Sequence, residues 1–404
     1  MQQLMHPLAL TATTAISAIG RGSAAHLHAM RTRTAGLRPN DFEPSVGGWI
    51  GRVDGVEGYR LPPAMAAFDC RNNRLADMAL RTDGFADAVA EARAVYGAGR
   101  VAVVLGTSTS GITAGEDAYG QRDTASGALP DRFHYDLTQD LFSLGRYVQT
   151  MLQLRGPALV VSTACASSAR SFVDAAQLIH SGVCDAAVVG GADSLCRMTL
   201  QGFAALELIS PEPCRPCDAT RAGISIGEGA GFALLERMDA PRRDGRVTDR
   251  LALLGMGTAS DAHHMSSPHP HGAGATGAMR RALETAGLAP GQVDWVHLHG
   301  TGTRANDAME DLAVLDVFGN AVPCSSTKGW TGHTLGTCGI LQAVICEQCM
   351  ADDILPGCLG IEAVDPSLRS DVAIANREQP VRIAVSNSFG FGGINCSLVF
   401  GRLA

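Results

Sequence analysis

Four residues of the 404-residue sequence have the chemistry and the setting to act together: Cys165, His299, His333 and Lys328. Cys165 follows the apolar run Ala158-Leu159-Val160-Val161-Ser162 and precedes apolar residues at Ala169, Phe172, Val173, Ala176 and Ile179. The run predicts a strand buried on both faces. The spacing after it predicts a helix, with Gly182 placed to end it. A cysteine at such a turn faces the free amides and positive dipole end of the helix, which predicts a lowered thiol pKa and a nucleophilic thiolate. Its neighbours Ala164, Ala166 and Ser167 leave room for an acyl group. The plainer reading is a buried hydrophobe, one of twelve cysteines.

His299 follows the strand-like Val293-Asp294-Trp295-Val296-His297-Leu298 and opens Gly300-Thr301-Gly302-Thr303. A histidine at the C-terminal end of a strand, beside a Gly/Thr loop, stands where α/β folds hold ligands. His333 closes Ser326-Thr327-Lys328-Gly329-Trp330-Thr331-Gly332, ahead of a helical stretch from Thr334 to Met350. Solvated turn histidines and a surface lysine are the alternatives. The glycines of Phe389-Gly390-Phe391-Gly392-Gly393 allow unusual backbone angles and amides converging on one point. No helix follows them, so this is not a phosphate loop.

The elements that must position these groups alternate between short apolar runs and helical patterns, the mark of an α/β protein. Leu8 to Ala12 reads as a first core strand. Val101 to Leu105 and Ala186 to Val189 read as buried strands, and the first ends in the loop Gly106-Thr107-Ser108-Thr109-Ser110-Gly111. Arg31 to Met65, rich in Pro and Gly, reads as surface loops. Asp307 to Phe318 reads as a helix capped by Gly319. A strand from Val381, a loop from Asn387 to Gly393 and a strand to Phe400 close the chain. The Arg-rich stretch Asp239 to Arg250 reads as a connection between two halves, 1–245 and 246–404.

Composition narrows the function class. A net charge of −8 and an aromatic fraction of 5% disfavour nucleic-acid and anionic-membrane binding. No apolar stretch reaches the length of a membrane span. The cysteines are scattered, which fits a reduced, cytoplasmic setting. The pairs Cys214/Cys217 and Cys346/Cys349 read as buried thiols rather than zinc ligands, and His263, His264, His269 and His271 as a Pro/Ser/Gly-rich loop; no metal site is expected.

Taken in order, Thr163-Ala164-Cys165-Ala166-Ser167-Ser168, His299 to Thr303, Lys328 with Thr331-Gly332-His333, and Asn387 to Asn395 resemble the elongating 3-oxoacyl-[acyl-carrier-protein] synthases of type II fatty acid and polyketide synthesis. Arg215-Pro216-Cys217-Asp218, Gly227-Glu228-Gly229-Ala230-Gly231 and Asp261-Ala262-His263-His264-Met265 extend the likeness, which runs from about Val101 to the C-terminus. The resemblance implies the thiolase fold: duplicated halves in a five-layer α/β/α/β/α core, assembled as a homodimer or a heterodimer with a related subunit. It implies decarboxylative Claisen condensation of an acyl group on Cys165 with malonyl-acyl-carrier protein. His299 and His333 would assist decarboxylation, with Lys328 and Glu310 in a polar network around His333. Thr301 and Thr303 would bind the phosphopantetheine arm of the carrier protein, with no permanently bound cofactor. The amides of Cys165 and Phe391 would form the oxyanion hole, and Phe391 would gate the acyl pocket. Phe203 would border it, and Thr109, on a loop that projects toward the partner subunit's tunnel, would border the acyl tunnel there and influence chain length.

The sequence departs from the family pattern at Ile394, at Cys217, and in the carrier-docking region from Ala64 to Leu75, where Arg71 and Arg74 are the only basic residues. A thiolase would carry a second cysteine in the loop that here reads Asn387-Ser388-Phe389-Gly390. A non-catalytic chain-length factor would have replaced the nucleophile, whereas Cys165 is retained.

Overall fold

Alternate residues of Val101–Gly106 enter two different cores. Val101, Val103 and Leu105 face one apolar cluster and Ala102 and Val104 another. A strand with both faces covered must lie inside a layered sheet, and the computed structural model, which describes residues 4–239 and 251–402, shows that sheet. Its main strands are β1 (Leu8–Ser17), β2 (Val101–Gly106), β3 (Ala158–Val161), β4 (Ala186–Asp193), β5 (Gly229–Arg237), β6 (Leu251–Ser260), β7 (Trp295–His297), β8 (Pro323–Ser325), β9 (Asp371–Val372), β10 (Ile383–Gly390) and β11 (Ile394–Arg402). They run in the order β9-β8-β7-β10-β11-β6-β1-β5-β4-β2-β3.

The order repeats itself about its centre. β1 and β6 pair antiparallel at Leu8↔Leu253 and Ala9↔Ala252. Outward from that seam each half then makes two antiparallel pairings, β1–β5–β4 and β6–β11–β10. Parallel pairings follow, two on one side, β4–β2–β3, and three on the other, β10–β7–β8–β9. Helices α1 (Arg71–Leu80), α2 (Ser167–His180), α3 (Ala273–Ala286), α4 (Arg304–Phe318) and α5 (Cys338–Ala351) complete the layers. α2 and α5 share one core with residues of both sheet halves, including Val104, Val189, Leu398 and Phe400. α1 covers the outer face of the first half through Leu75 and Ala79. α3 and α4 cover the second through Met279, Leu283, Met309 and Val314. Helix, sheet, helix, sheet, helix is the five-layer arrangement.

Some local expectations are corrected. β3 is not buried on both faces: it is the outermost strand, and Leu159 is 43% exposed. The segment 31–65 is not loop alone. Leu37–Pro39 pairs with Trp49–Gly51, which pairs with Ile226–Gly227 because Ile50 and Ile226 share a small core with Leu335. Asn387 to Gly390 belongs to β10, leaving Phe391 to Gly393 as the hairpin turn, with Gly392 and Gly393 at φ 82° and 75°. α4 starts at Arg304, three residues early, because the Thr303 hydroxyl accepts from the Asn306 amide at 3.3 Å. α5 starts only at Cys338, because Leu335 has φ 52° and the chain turns there first. Apart from Asp239, the expected connection at 239–250 and its boundary at 245 lie outside the described residues.

Candidate active site

β3 delivers Cys165. Ala164 takes a left-handed conformation, φ 49°, which turns the chain abruptly out of the strand and into α2 with Cys165 at the bend. The turn of the β10–β11 hairpin presses on this bend. A Cβ at Gly390 would lie 2.7 Å from the Thr163 carbonyl and 3.4 Å from the Cys165 amide, so only glycine lets the two loops meet. His299 follows β7 by two residues, and His333 follows the short helix Lys328–Thr331. The Cys165 sulfur and one ring nitrogen from each histidine all lie within 4.8 Å of one another. Among the described residues this is the sole cluster of three such side chains close enough to hold a metal, and the Cys-x-x-Cys pairs and loop histidines form none. All twelve cysteines are free and buried.

Hydrogen bonds set the tautomers. His333 Nδ1 accepts from the Leu335 amide at 3.1 Å, so its proton sits on Nε2. Lys328 Nζ lies 3.4 Å from His299 Nδ1 and donates to the His299 carbonyl. A lysine ammonium donates only, so His299 Nδ1 is also an acceptor and its proton is also on Nε2. Burial, then the Lys328 charge, pushes both imidazoles well below the ordinary range, and they are neutral. The pair is therefore two neutral N–H donors beside a thiol. Lys328 and Glu310 serve His299 rather than His333, a correction to the expected network. Glu310 accepts from the amides of His299 and Gly300 at 2.8 Å each and from Asn387 Nδ2 at 3.1 Å. Burial pushes its carboxyl up to about 7 against those donors.

The expected low thiol pKa is overturned. Cys165 is 6% exposed, and burial pushes its thiol up to about 12, with the neighbouring Cys338 adding to the shift. Lys328 and the Phe391 amide pull the other way and do not win. α2 begins two residues later, at Ser167, whose amide already donates to the Ala164 carbonyl, so the helix end is less available to the sulfur than the sequence suggests. The Phe391 amide does reach the Cys165 sulfur, as a donor for an oxyanion or thiolate at that point must.

A cleft of about 780 Å³, the open space at its mouth included, runs from buried Cys165, His299 and His333 to exposed Ala305. Phe203, Phe389 and Phe391 line it together with Thr301, Thr303 and Asn306. Phe203 packs on Phe391 with ring centroids 5.6 Å apart. The hydroxyls of Thr301 and Thr303 are 2.9 Å apart. Thr109, expected to project toward the partner subunit's tunnel, lies outside the lining of this chain's own cleft. It is buried, its hydroxyl bonded to Asp193 Oδ1 at 2.9 Å and to the Ser194 amide at 3.0 Å. Arg71 is locked to Glu228 at 2.6 Å and Arg74 to Asp69 at 2.6 Å, so neither is a free docking cation.

Comparison with known proteins places this geometry. Residues 60–240 match the N-terminal domain of beta-ketoacyl synthase and residues 251–362 its C-terminal domain. The chain belongs to the beta-ketoacyl synthase family. Nodulation protein E of Rhizobium meliloti is 36% identical over 258 residues, 63% of this chain and 64% of that protein. The 3-oxoacyl-[acyl-carrier-protein] synthase 2 of Rhizobium meliloti (strain 1021) is 38% identical over 264 residues, 62% of each chain. The match thus spans under two thirds of the length of these curated relatives. A solved ketosynthase (ApeO) in complex with its chain length factor (ApeC), from Xenorhabdus doucetiae, superposes over 98% of both chains with a TM-score of 0.87 and 36% identity. The layered ketosynthase architecture is the thiolase fold. No helix among the described residues of this family member is long and apolar enough to cross a membrane.

Two residues that contact the site's loops escaped the sequence reading. Asp193 ends β4 and accepts six hydrogen bonds: from the Thr107, Ser108 and Thr109 hydroxyls, the Ser108 and Thr109 amides, and the Gly336 amide. It ties the loop after β2 to the loop carrying His333. Three of those donors are backbone amides divided between both oxygens, and such donors pull against the burial that pushes its pKa up. The available signal was an acid directly after Gly190-Gly191-Ala192 at a strand's end. The second is Cys338, whose sulfur lies 3.1 Å from His333 Nδ1.

Proposed function

We propose that the chain is a 3-oxoacyl-[acyl-carrier-protein] synthase, joining an acyl group held on Cys165 to malonyl-acyl-carrier protein. The observation that carries this reading is the convergence of one thiol and two neutral N–H donors within 4.8 Å at the buried end of a cleft. Cys165 sulfur attacks the acyl thioester, the carrier thiolate leaves, and the thiol proton goes with it. Malonyl thioester then loses carbon dioxide, and its enolate oxygen accepts from His299 and His333 Nε2–H. The enolate carbon attacks the acyl carbon; a C–C bond forms, the C–S bond to Cys165 breaks, and the thiolate takes up a proton. Neutral imidazoles suit this better than charged ones, because they stabilise the enolate without protonating it. Thr301 and Thr303 line the route that a phosphopantetheine arm would take.

Replacing His333 by alanine separates the steps. Acylation of Cys165, read by mass spectrometry, is expected to keep much of the parent rate, because it uses the thiol and the Phe391 amide. Condensation and malonyl decarboxylation are expected to fall by about 10²–10³-fold, the scale of losing one fixed donor to an oxyanion. Unchanged condensation in His333→Ala overturns the assignment.

The acyl-carrier partner and a dimeric assembly belong to the same proposal. The open edge of β3, with Leu159 exposed, and the relative solved with a chain length factor support pairing with a second synthase-like chain, identical or related. An assembly of this kind buries on the order of 2,000 Å² or more. Light scattering of the purified chain, alone and with its pairing subunit, is expected to give twice the 42.0 kDa chain mass in at least one case. Monomer in both overturns it.

A further inference from the structure

The structure assigns Cys338 as a positioning residue for His333: its thiol donates to Nδ1 and helps hold the imidazole as the tautomer that presents Nε2–H to substrate. This rests on the condensing-enzyme reading above, which did not use Cys338.

Cys338 is the first residue of α5 and 3% exposed. Its sulfur lies 3.1 Å from His333 Nδ1. The Thr334 hydroxyl donates to the same sulfur at 3.5 Å, which leaves the thiol hydrogen for a different acceptor. The Leu335 amide cannot be anything but a donor, and it too points at Nδ1, at 3.1 Å. Nδ1 therefore carries no hydrogen, and the Cys338 S–H completes the contact by donating to it. Two donors share one ring nitrogen. The backbone amide sets the direction of the lone pair, and the thiol stops the ring from swinging about that single bond. The loop that presents both groups is itself pinned by Asp193 through the Gly336 amide.

Two donors at Nδ1 also withdraw electron density from the ring and oppose its protonation. The titratable groups around His333 are Lys328, His299, Cys165, Cys338 and, behind Gly336, Asp193. Lys328 already disfavours an imidazolium. Removing the Cys338 donor raises the basicity of Nδ1, so His333 protonates at a higher pH than in the parent. A protonated Nδ1 would face the Leu335 N–H and push the ring out of place.

Malonyl decarboxylation measured against pH tests this. In Cys338→Ala the acid limb of kcat is expected to move up by about one pH unit, giving an about tenfold loss on that limb with KM unchanged. Cys338→Ser keeps a donor and is expected to bring the limb back toward the parent. A parent-like profile in Cys338→Ala, or equal shifts in both variants, overturns the role. Nitrogen-15 NMR of histidine-labelled protein, with the His333 signals assigned by loss in His333→Gln, gives a readout without turnover. The parent is expected to show protonated Nε2 and unprotonated Nδ1 at His333, with its titration displaced upward in Cys338→Ala. A protonated Nδ1 in the parent sinks the inference even if condensation is active. Absent decarboxylation with the expected nitrogen signals sinks the condensing-enzyme reading and leaves the positioning contact standing.

Discussion

Cys165→Ala is expected to abolish the acyl-enzyme adduct and lower condensation by at least ~10³-fold, while slow malonyl decarboxylation survives. On the proposed mechanism Cys165 is the one group whose loss cannot be shared by its neighbours, since the two imidazoles are neutral donors with no role as acyl acceptors. Decarboxylation survives because His299 and His333 keep their partners, Lys328 and the Leu335 amide. The other eleven cysteines are buried away from the cleft lining, so no adduct is expected elsewhere. Acyl mass on a peptide lacking residue 165 defeats this assignment. The pH dependence of the native chain provides a second check. A thiol pushed up to about 12 is protonated at neutral pH, and its thiolate fraction grows tenfold with each pH unit below that value. Alkylation of Cys165 by iodoacetamide, followed on its peptide, is therefore expected to accelerate steadily from pH 6.5 to 9. A plateau near pH 7 would mean a stabilised thiolate and refute the burial argument.

Asp193→Ala is expected to cost on the order of 4 kcal/mol of stability and most of the condensation activity. Six donors lose their acceptor, and buried donors left unmade cost about 1–3 kcal/mol each before the loops relax. The activity falls because the Gly336 amide, 2.5 Å from Oδ2, holds the loop that presents His333. Asp193→Asn separates the two effects. Its oxygen can replace Oδ1, which takes four of the six donors, but its amide would then face the Gly336 N–H. Thermal midpoints are expected to recover substantially in Asp193→Asn while decarboxylation stays low. If both return together, Asp193 is a fold-stabilising residue with no bearing on His333.

The sequence made the local units legible and hid what depends on distant partners. Apolar runs at Val101 and Ala186 and helical spacing after Cys165 specify elements through near neighbours, and these form as read. Cys165, His299 and His333 could be picked out because each stands at the end of an element beside small residues. Their pairing could not: Lys328 lies five residues from His333 yet reaches His299, because the chain between Thr331 and His333 turns away. Asp193 finds its partners at 107–109 and 336, separations that no pattern along the chain encodes. The β3 run is as apolar as β4, so the run alone does not tell an edge strand from a central one. The Cys165 pKa failed for a related reason. A helix end is visible in sequence, but the depth at which the packed layers bury it is not.

The neutral resting state of the site also governs its durability. Oxidation of a cysteine begins with its thiolate, and the ladder beyond sulfenic acid is irreversible for most proteins. Here the reactive sulfur idles as a protonated, buried thiol beside two uncharged rings, and it is a poor target for peroxide. On the proposed cycle it is a thiolate when it attacks the acyl thioester and again when the new carbon–carbon bond expels it. Exposure to oxidants is then counted in catalytic turnovers rather than in hours, and an idle molecule outlasts a working one.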